Sequence, residues 1–116
     1  MATIKRGTTP VLAIKLGIDD LSDIATVDFL FKSKMLESDT TQVLKSYPTD
    51  ASVTLDNGVF YVEFDEDDTR TFGGNTIAYL DVRPTTTSGK ILATKIVPID
   101  VYLTLYAEEE DNAENN

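Results

Sequence analysis

The chain has 116 residues, of which 41% are apolar, and this is enough for one domain with one hydrophobic core. Its 20 acidic residues outnumber its 10 basic residues, and the resulting net charge of -10 disfavours binding to nucleic-acid phosphates. The absence of cysteine excludes a disulfide framework and a thiolate zinc site. No apolar run is long enough for a membrane helix, and the N-terminus lacks the apolar segment of a secretory signal. We therefore expect a folded protein made in the cytosol that binds neither nucleic acid nor membranes.

A two-residue alternation of apolar side chains recurs along the chain and predicts β-strands, whereas helical periodicity is nearly absent. The first three predicted strands are TPVLAIKL, TVDFLFKS and the weaker TTQVLKSY. In the second strand Val27, Phe29 and Phe31 are expected to point inward. Leu12, Ile14 and Leu16 share one face of the first strand; Val43 and Tyr47 share one face of the third, with Leu44 on the other. Thr8, Thr9 and Pro10 form a natural strand entry, because proline holds its predecessor in an extended conformation. Gly7 lets the chain bend before them, which is typical of a first strand that is split and switches sheets.

A β-hairpin follows in SVTLDNGVFYVEF, where Asn57 and Gly58 supply the positive φ angles of a tight turn. Its second arm aligns Phe60, Val62 and Phe64 on one face. The next strand, NTIAYLDVRP, presents Ile77, Tyr79 and Asp81 on one face and Ala78, Leu80 and Val82 on the other. The residues TTTSGK then turn the chain back.

The last apolar segment, ILATKIVPIDVYLTLY, is too long for one typical strand. Pro98 cannot donate to a β-ladder, so we expect it at an edge or a bulge that divides the segment. After Pro98, alternation places Ile99, Val101, Leu103 and Leu105 on one face and Asp100, Tyr102 and Thr104 on the other.

About seven strands with frequent turn signals predict an all-β fold. The first choice is an immunoglobulin-like sandwich of antiparallel strands in a Greek-key arrangement, with one short helical turn between late strands; a jelly roll or a closed barrel is the alternative. We assign residues 1–107 to this domain and residues 108–116 to an acidic polar tail. The residues predicted to share one core are Phe29, Phe31, Phe60, Phe64, Leu80 and Leu103.

The stretch VEFDEDDTRTFGG has two interpretations. In the first, Asp65 caps a single helical turn that crosses between sheets, with acidic residues in its first turn, Phe72 folded onto the core and Gly73-Gly74 releasing the chain. In the second, the acids bind calcium, but their spacing does not match an EF-hand loop. The first interpretation explains every residue, and we expect no metal here.

The sequence offers no catalytic motif. It has no histidine to act as a general base and no cysteine nucleophile, and its serines lie outside nucleophile-elbow motifs. We therefore expect a protein that is not an enzyme and needs no cofactor. Tyrosines could still form a platform for a host glycan, and the candidates are Tyr47, Tyr61, Tyr79, Tyr102 and Tyr106.

The opening segment IKRGTTPVLAIKL resembles small proteins of bacteriophages and prophages and, more distantly, the N-terminal immunoglobulin-like domain of phage baseplate upper proteins. The specific match is KRGTTP at residues 5–10, and the likeness continues in element order to about Leu105. The resemblance implies a virion structural protein of the tail or baseplate that contacts other virion proteins and copies of itself. The alternative function is capsid decoration or adhesion to a host-surface carbohydrate.

The end of the chain is the predicted contact surface. The last strand would lie at the edge of an open sheet, where backbone groups pair readily with other chains, and an acidic tail follows it. The candidate contact residues are Tyr102, Thr104, Tyr106, Glu108, Glu109 and Glu110.

Overall fold

The computed structural model describes residues 3–18, 20–36, 38, 41–72 and 76–105. Within these residues the chain forms eight strands and one short helix. In chain order they are β1 (Thr3–Lys5), β2 (Val11–Ile14), β3 (Ile24–Lys32), β4 (Gln42–Tyr47), β5 (Val53–Asp56), β6 (Val59–Glu63), α1 (Glu66–Arg70), β7 (Thr76–Thr86) and β8 (Val97–Tyr102). The prediction of an all-β protein with one helical turn between late strands is confirmed. The predicted tail at 108–116 lies outside the described residues.

The strands form two sheets. One has five strands in the order β1-β8-β7-β3-β4, and the other has three strands in the order β2-β6-β5. The pairing of β1 with β8 is parallel, with Ile4 opposite Val101. The five-stranded sheet is therefore mixed, and the expectation of an entirely antiparallel fold was wrong. The difference arises because β1 is only three residues long and joins the sheet beside the last strand, a long-range pairing that local sequence patterns do not encode.

The first strand is split between the sheets, as the sequence predicts. β1 belongs to the five-stranded sheet and β2 to the three-stranded sheet. Gly7 lies between them with a φ of 75°, a conformation that glycine adopts without steric cost. Residues 8–10 then lead into β2, where Leu12 pairs with Val62.

The two sheets pack face to face around an aromatic core. Phe29 of β3 lies against Phe60 of β6, with ring centroids 5.5 Å apart. Phe31 of β3 makes an edge contact of 4.9 Å with Phe64, which directly follows β6. All four rings are at most 3% exposed, and Leu80 is equally buried, so five of the six predicted core residues lie in one cluster.

Leu103 was wrongly assigned to this core. Its side chain is 48% exposed, and that of Leu105 is 97% exposed. β8 ends at Tyr102, which lies opposite Lys5, the last residue of β1. On the other side, β7 begins at Thr76, opposite Val101. Leu103 therefore continues the alternation of β8 past the point where neighbouring strands stop, and no sheet covers it.

The last strand is not at the edge of its sheet, which corrects a second expectation. β8 lies between β1 and β7, and the edges of the five-stranded sheet are β1 and β4. β1 pairs with β8 only from Asp100 to Tyr102. Pro98 lies on the part of β8 that β1 does not reach, and it pairs with Tyr79 of β7 on its other side. Its missing N–H is tolerated on this half-covered stretch.

The helix α1 crosses from the three-stranded sheet to the five-stranded sheet. Asp65 is its N-cap, and a reciprocal capping box joins Asp65 to Asp68. Phe72 is buried at 1% exposure beyond the helix, as predicted. Gly73 and Gly74 lie outside the described residues. In the part of the chain that the structure describes, no helix is long and apolar enough to cross a membrane.

Candidate interaction surface

The outer face of the five-stranded sheet is the surface that faces away from the core. Its residues follow from strand register, because residues directly opposite each other point to the same side. One row across the face contains Leu44, Leu30 and Asp81. The next row contains Gln42, Lys32, Tyr79 and Pro98.

Several apolar side chains on this face are exposed to solvent. Leu44 is 53% exposed and Ile77 is 40% exposed, although both lie in strands. Met35 and Leu36 in the β3–β4 connection, and Ile96 just before β8, are also exposed. Isolated exposed apolar residues are ordinary, but a continuous group across neighbouring strands is typical of a contact surface.

A groove of about 680 Å³ crosses the same face. The β3–β4 connection forms one wall, and Lys32 Nζ donates a hydrogen bond of 3.1 Å to the Leu36 carbonyl of that wall. The groove is lined by Leu30, Lys32, Lys34, Met35, Leu36, Tyr79, Asp81, Arg83 and Ile96. A second, shallower depression adjoins it at Thr76 and Ile77.

Among the described residues, charged side chains of both signs line this groove. Its lining includes three basic residues, Lys32, Lys34 and Arg83, and one acidic residue, Asp81. In the whole sequence acids outnumber bases by 20 to 10. The groove therefore combines apolar side chains with charged ones, and Arg83 also lies opposite Asp28 of β3 on the same face.

The predicted contact residues are only partly placed. Tyr102 is half exposed and pairs with Lys5. It lies on the outer face of the five-stranded sheet, at the opposite end of the sheet from Arg83. Thr104 follows β8 and is partly buried. Tyr106, Glu108, Glu109 and Glu110 lie outside the described residues. Sequence reasoning missed the groove itself, although Leu30 and Leu44 at outward positions of strands were a detectable signal.

The described tyrosines do not form one platform. Tyr61 lies on β6 in the three-stranded sheet, whereas Tyr79 and Tyr102 lie on the outer face of the five-stranded sheet. Tyr47 packs against Phe60 at 5.2 Å, so its ring belongs to the core. A single glycan platform that combines Tyr61 with Tyr79 and Tyr102 is therefore not supported by the arrangement of the sheets.

Two carboxylates of the acidic stretch are engaged in structure. The Asp68 backbone N–H donates to Asp65 Oδ1 at 2.7 Å, and the Asp65 N–H donates to Asp68 Oδ2 at 3.0 Å. Lys45 Nζ forms a 2.7 Å ion pair with Asp68 and lies above the Phe64 ring. Across residues 3–105, apart from the gaps at 19, 37, 39–40 and 73–75, no cluster of three or more acidic side chains is arranged to bind a metal ion.

The KRGTTP segment is a corner fastened to α1. The buried Thr69 side chain accepts a 3.0 Å hydrogen bond from the Gly7 N–H, and its hydroxyl lies 3.0 Å from the Thr8 carbonyl. Arg6 Nη2 donates to the Arg70 carbonyl at 3.3 Å. A Cβ at Gly7 would lie 2.7 Å from Arg70 Nη2, so only glycine fits without displacement. These residues hold the point at which the chain changes sheets.

Comparison with known proteins found no family model, no curated protein and no solved structure that matches this chain.

Proposed function

We propose that this protein is a non-enzymatic structural component of a bacteriophage particle, in the tail or baseplate, and that it acts through protein–protein contacts. The observation that supports action through protein–protein contacts is the outer face of the five-stranded sheet. Half-exposed apolar residues such as Leu44 and Ile77 lie beside the groove there, and the opposite face of the same sheet packs into the core. An apolar surface with charged residues among it is suited to contact with another protein.

The strand order supports an immunoglobulin-like arrangement. In such domains strands B, E and D form one sheet, and strands C, F and G form the other, which variable-type domains extend beyond strand C. Here β2, β6 and β5 are neighbours in that order, and β8, β7, β3 and β4 form the matching series G-F-C-C′. The helical turn α1 takes the position of the E–F connection. The domain of phage baseplate upper proteins that the sequence resembles is also immunoglobulin-like.

The assignment to a phage particle rests on the resemblance at residues 5–10. The structure gives these residues a physical role, because Gly7 and Thr8 are bonded to Thr69 at the sheet-switching corner. The expected partners are other virion proteins and copies of this chain, and the expected location is the virion.

A catalytic function has less support. The sequence lacks histidine and cysteine. In the acidic stretch, the carboxylates of Asp65 and Asp68 cap the helix, and Asp68 also forms an ion pair with Lys45. The groove contains no nucleophile with an adjacent base among its lining residues.

Protein mass spectrometry of purified particles tests the proposal. Particles are released from an induced culture of the source strain, purified by density, and treated with high salt to remove loosely bound protein. We expect the chain to remain in the particle fraction in constant proportion to the major structural proteins. Its loss from that fraction, together with recovery in the soluble lysate, would contradict the proposal.

A further inference from the structure

The tip of the β5–β6 hairpin is a turn of two residues. β5 ends at Asp56 and β6 begins at Val59, and these two residues lie opposite each other in the ladder. Asn57 and Gly58 alone connect them, with φ angles of 49° and 76°. Positive φ at both positions is the geometry of a type I′ turn, for which Asn-Gly is strongly preferred. The turn is thus held at both ends by strand pairing, and it places an asparagine directly before a glycine.

This turn projects into open space. Asn57 and Gly58 are both exposed. A Cβ built on Gly58 would meet no atom within 4 Å, apart from its neighbours in the chain. Among the described residues, none accepts a hydrogen bond from the Gly58 N–H. Water and hydroxide therefore reach the Gly58 nitrogen, and the Asn57 side chain can turn toward it without displacing another element.

We propose that Asn57 is a site of spontaneous deamidation. The Gly58 backbone nitrogen, after losing its proton to hydroxide, attacks the side-chain carbonyl carbon Cγ of Asn57. A C–N bond forms and closes a cyclic succinimide, and the bond from Cγ to the side-chain nitrogen breaks. That nitrogen takes a proton from water and leaves as ammonia. Glycine favours the attack, because it has no Cβ beside the attacking nitrogen.

Water then opens the succinimide at either of its carbonyl carbons, and the two products differ in their effect on the hairpin. Aspartate leaves the main chain unchanged, and aspartate before glycine is also favoured in a type I′ turn. Isoaspartate carries the chain through the former side chain and adds a carbon atom to the backbone of the turn. Because loop length fixes the register of a hairpin, the longer turn no longer matches the pairing of Asp56 with Val59.

The strand order places the effect of isoaspartate on β5. β5 is an edge strand of four residues that pairs with β6, whereas β6 also pairs with β2 on its other side. β6 therefore stays in the sheet when the turn lengthens, and β5 separates from it, beginning at Asp56. Deamidation at Asn57 thus converts the protein over time into a form with a loosened edge.

Peptide mapping by mass spectrometry of the folded, full-length chain tests the site. The chain is kept in mildly alkaline buffer and sampled over time, and fragmentation distinguishes aspartate from isoaspartate. The internal control is Asn112, which precedes Ala113, the smallest residue after any other asparagine of the sequence. We expect Asn57 to be converted at least about threefold faster than Asn112, since only Asn57 precedes a residue without a Cβ. The rate at Asn57 should rise with pH.

Hydrogen exchange of residues 53–56 tests the structural effect. Asn57→Gly is the matched control, because it removes the reacting amide and keeps a pair that type I′ turns accept. Freshly prepared Asn57→Asp supplies the aspartate product alone. We expect exchange in the isoaspartate fraction of the incubated chain to be at least about tenfold faster than in fresh protein. Incubated Asn57→Gly and fresh Asn57→Asp should exchange like the fresh unaltered chain.

Asn57 that remains an amide, or that is converted no faster than Asn112, would overturn the deamidation site. Isoaspartate at position 57 with unchanged exchange of residues 53–56 would overturn its effect on β5. An equal rise in exchange in incubated Asn57→Gly would do the same, because that variant cannot form the succinimide. None of these results depends on whether the chain is found in purified particles.

Discussion

The side chains of the core were predictable one by one, because alternation marks which residues of a strand face inward. Phe29, Phe31 and Phe60 are fully buried, as their positions in the pattern indicate. Leu103 obeys the same pattern and is exposed. Alternation defines the side of a strand on which a residue lies, but it carries no information on whether another element covers that side.

Phe29→Ala and Leu103→Ala form a matched test of this difference. We expect Phe29→Ala to lower the free energy of unfolding by about 3–5 kcal/mol, because it leaves a cavity between the sheets where the ring contacts Phe60. Leu103→Ala should change it by less than about 0.5 kcal/mol, since surface substitutions away from special features have small effects. Urea unfolding measures both. Equal losses would show that Leu103 is part of the core.

Thr69 is a polar residue with no exposed surface, and its hydroxyl joins the corner at Gly7 and Thr8 to the helix. Thr69→Val keeps the shape of the side chain but leaves the Gly7 N–H without an acceptor. We expect a loss of about 1–3 kcal/mol, the cost of an unsatisfied buried polar group. Thr69→Ser retains the hydroxyl and should be less damaging. Thermal and urea unfolding of the two variants measure the loss. If Thr69→Val leaves the free energy of unfolding unchanged, the hydrogen bond at the corner does not contribute to stability.

Among the elements, α1 was the most completely predicted from the sequence. An acceptor at Asp65, acids in the first turn and an aromatic residue beyond the helix are local signals, and the helix they specify is local too. The ion pair of Asp68 with Lys45 was not foreseen, because Lys45 reaches the helix from β4, 23 residues earlier.

The contacts of the acidic stretch predict that calcium does not change the melting temperature of the protein. Asp65 and Asp68 already accept backbone hydrogen bonds, and Asp68 has a lysine partner. Calcium would have to displace these contacts to bind. We therefore expect the same melting temperature in excess calcium chloride, in excess chelator and in buffer alone. A rise of several degrees in calcium alone would reveal an ion site, since a ligand that binds only the native state stabilises it.

The last strand illustrates what an element pattern leaves open. The strand itself was predicted, with Ile99 and Val101 facing inward, and both are buried. Its place inside the sheet was not, because that depends on β1, whose partner is almost 100 residues away in sequence. β1 has only three residues, of which Ile4 alone is buried, so its sequence pattern is too short to predict a parallel pairing.

For the whole molecule, the sequence indicated a two-layer all-β fold but not the surface that distinguishes this protein. The groove combines β3, β7, the β3–β4 connection and the residue before β8. Each contributes one to three side chains, and none of these residues by itself indicates a groove. Only strand order brings Lys32, Tyr79 and Arg83 together with Met35 and Ile96 to form the groove.

The position of this chain in a particle imaged by electron cryomicroscopy is the most direct test of its role. We expect density for the chain in the tail or baseplate, with Leu44, Ile77 and Arg83 on the outer face of the five-stranded sheet buried against a neighbouring subunit. The outer face of the three-stranded sheet serves as the internal comparison, and we expect it to be less covered. Particles that lack the chain, or that contain it with the five-stranded outer face open to solvent, would contradict a structural role exerted through this surface.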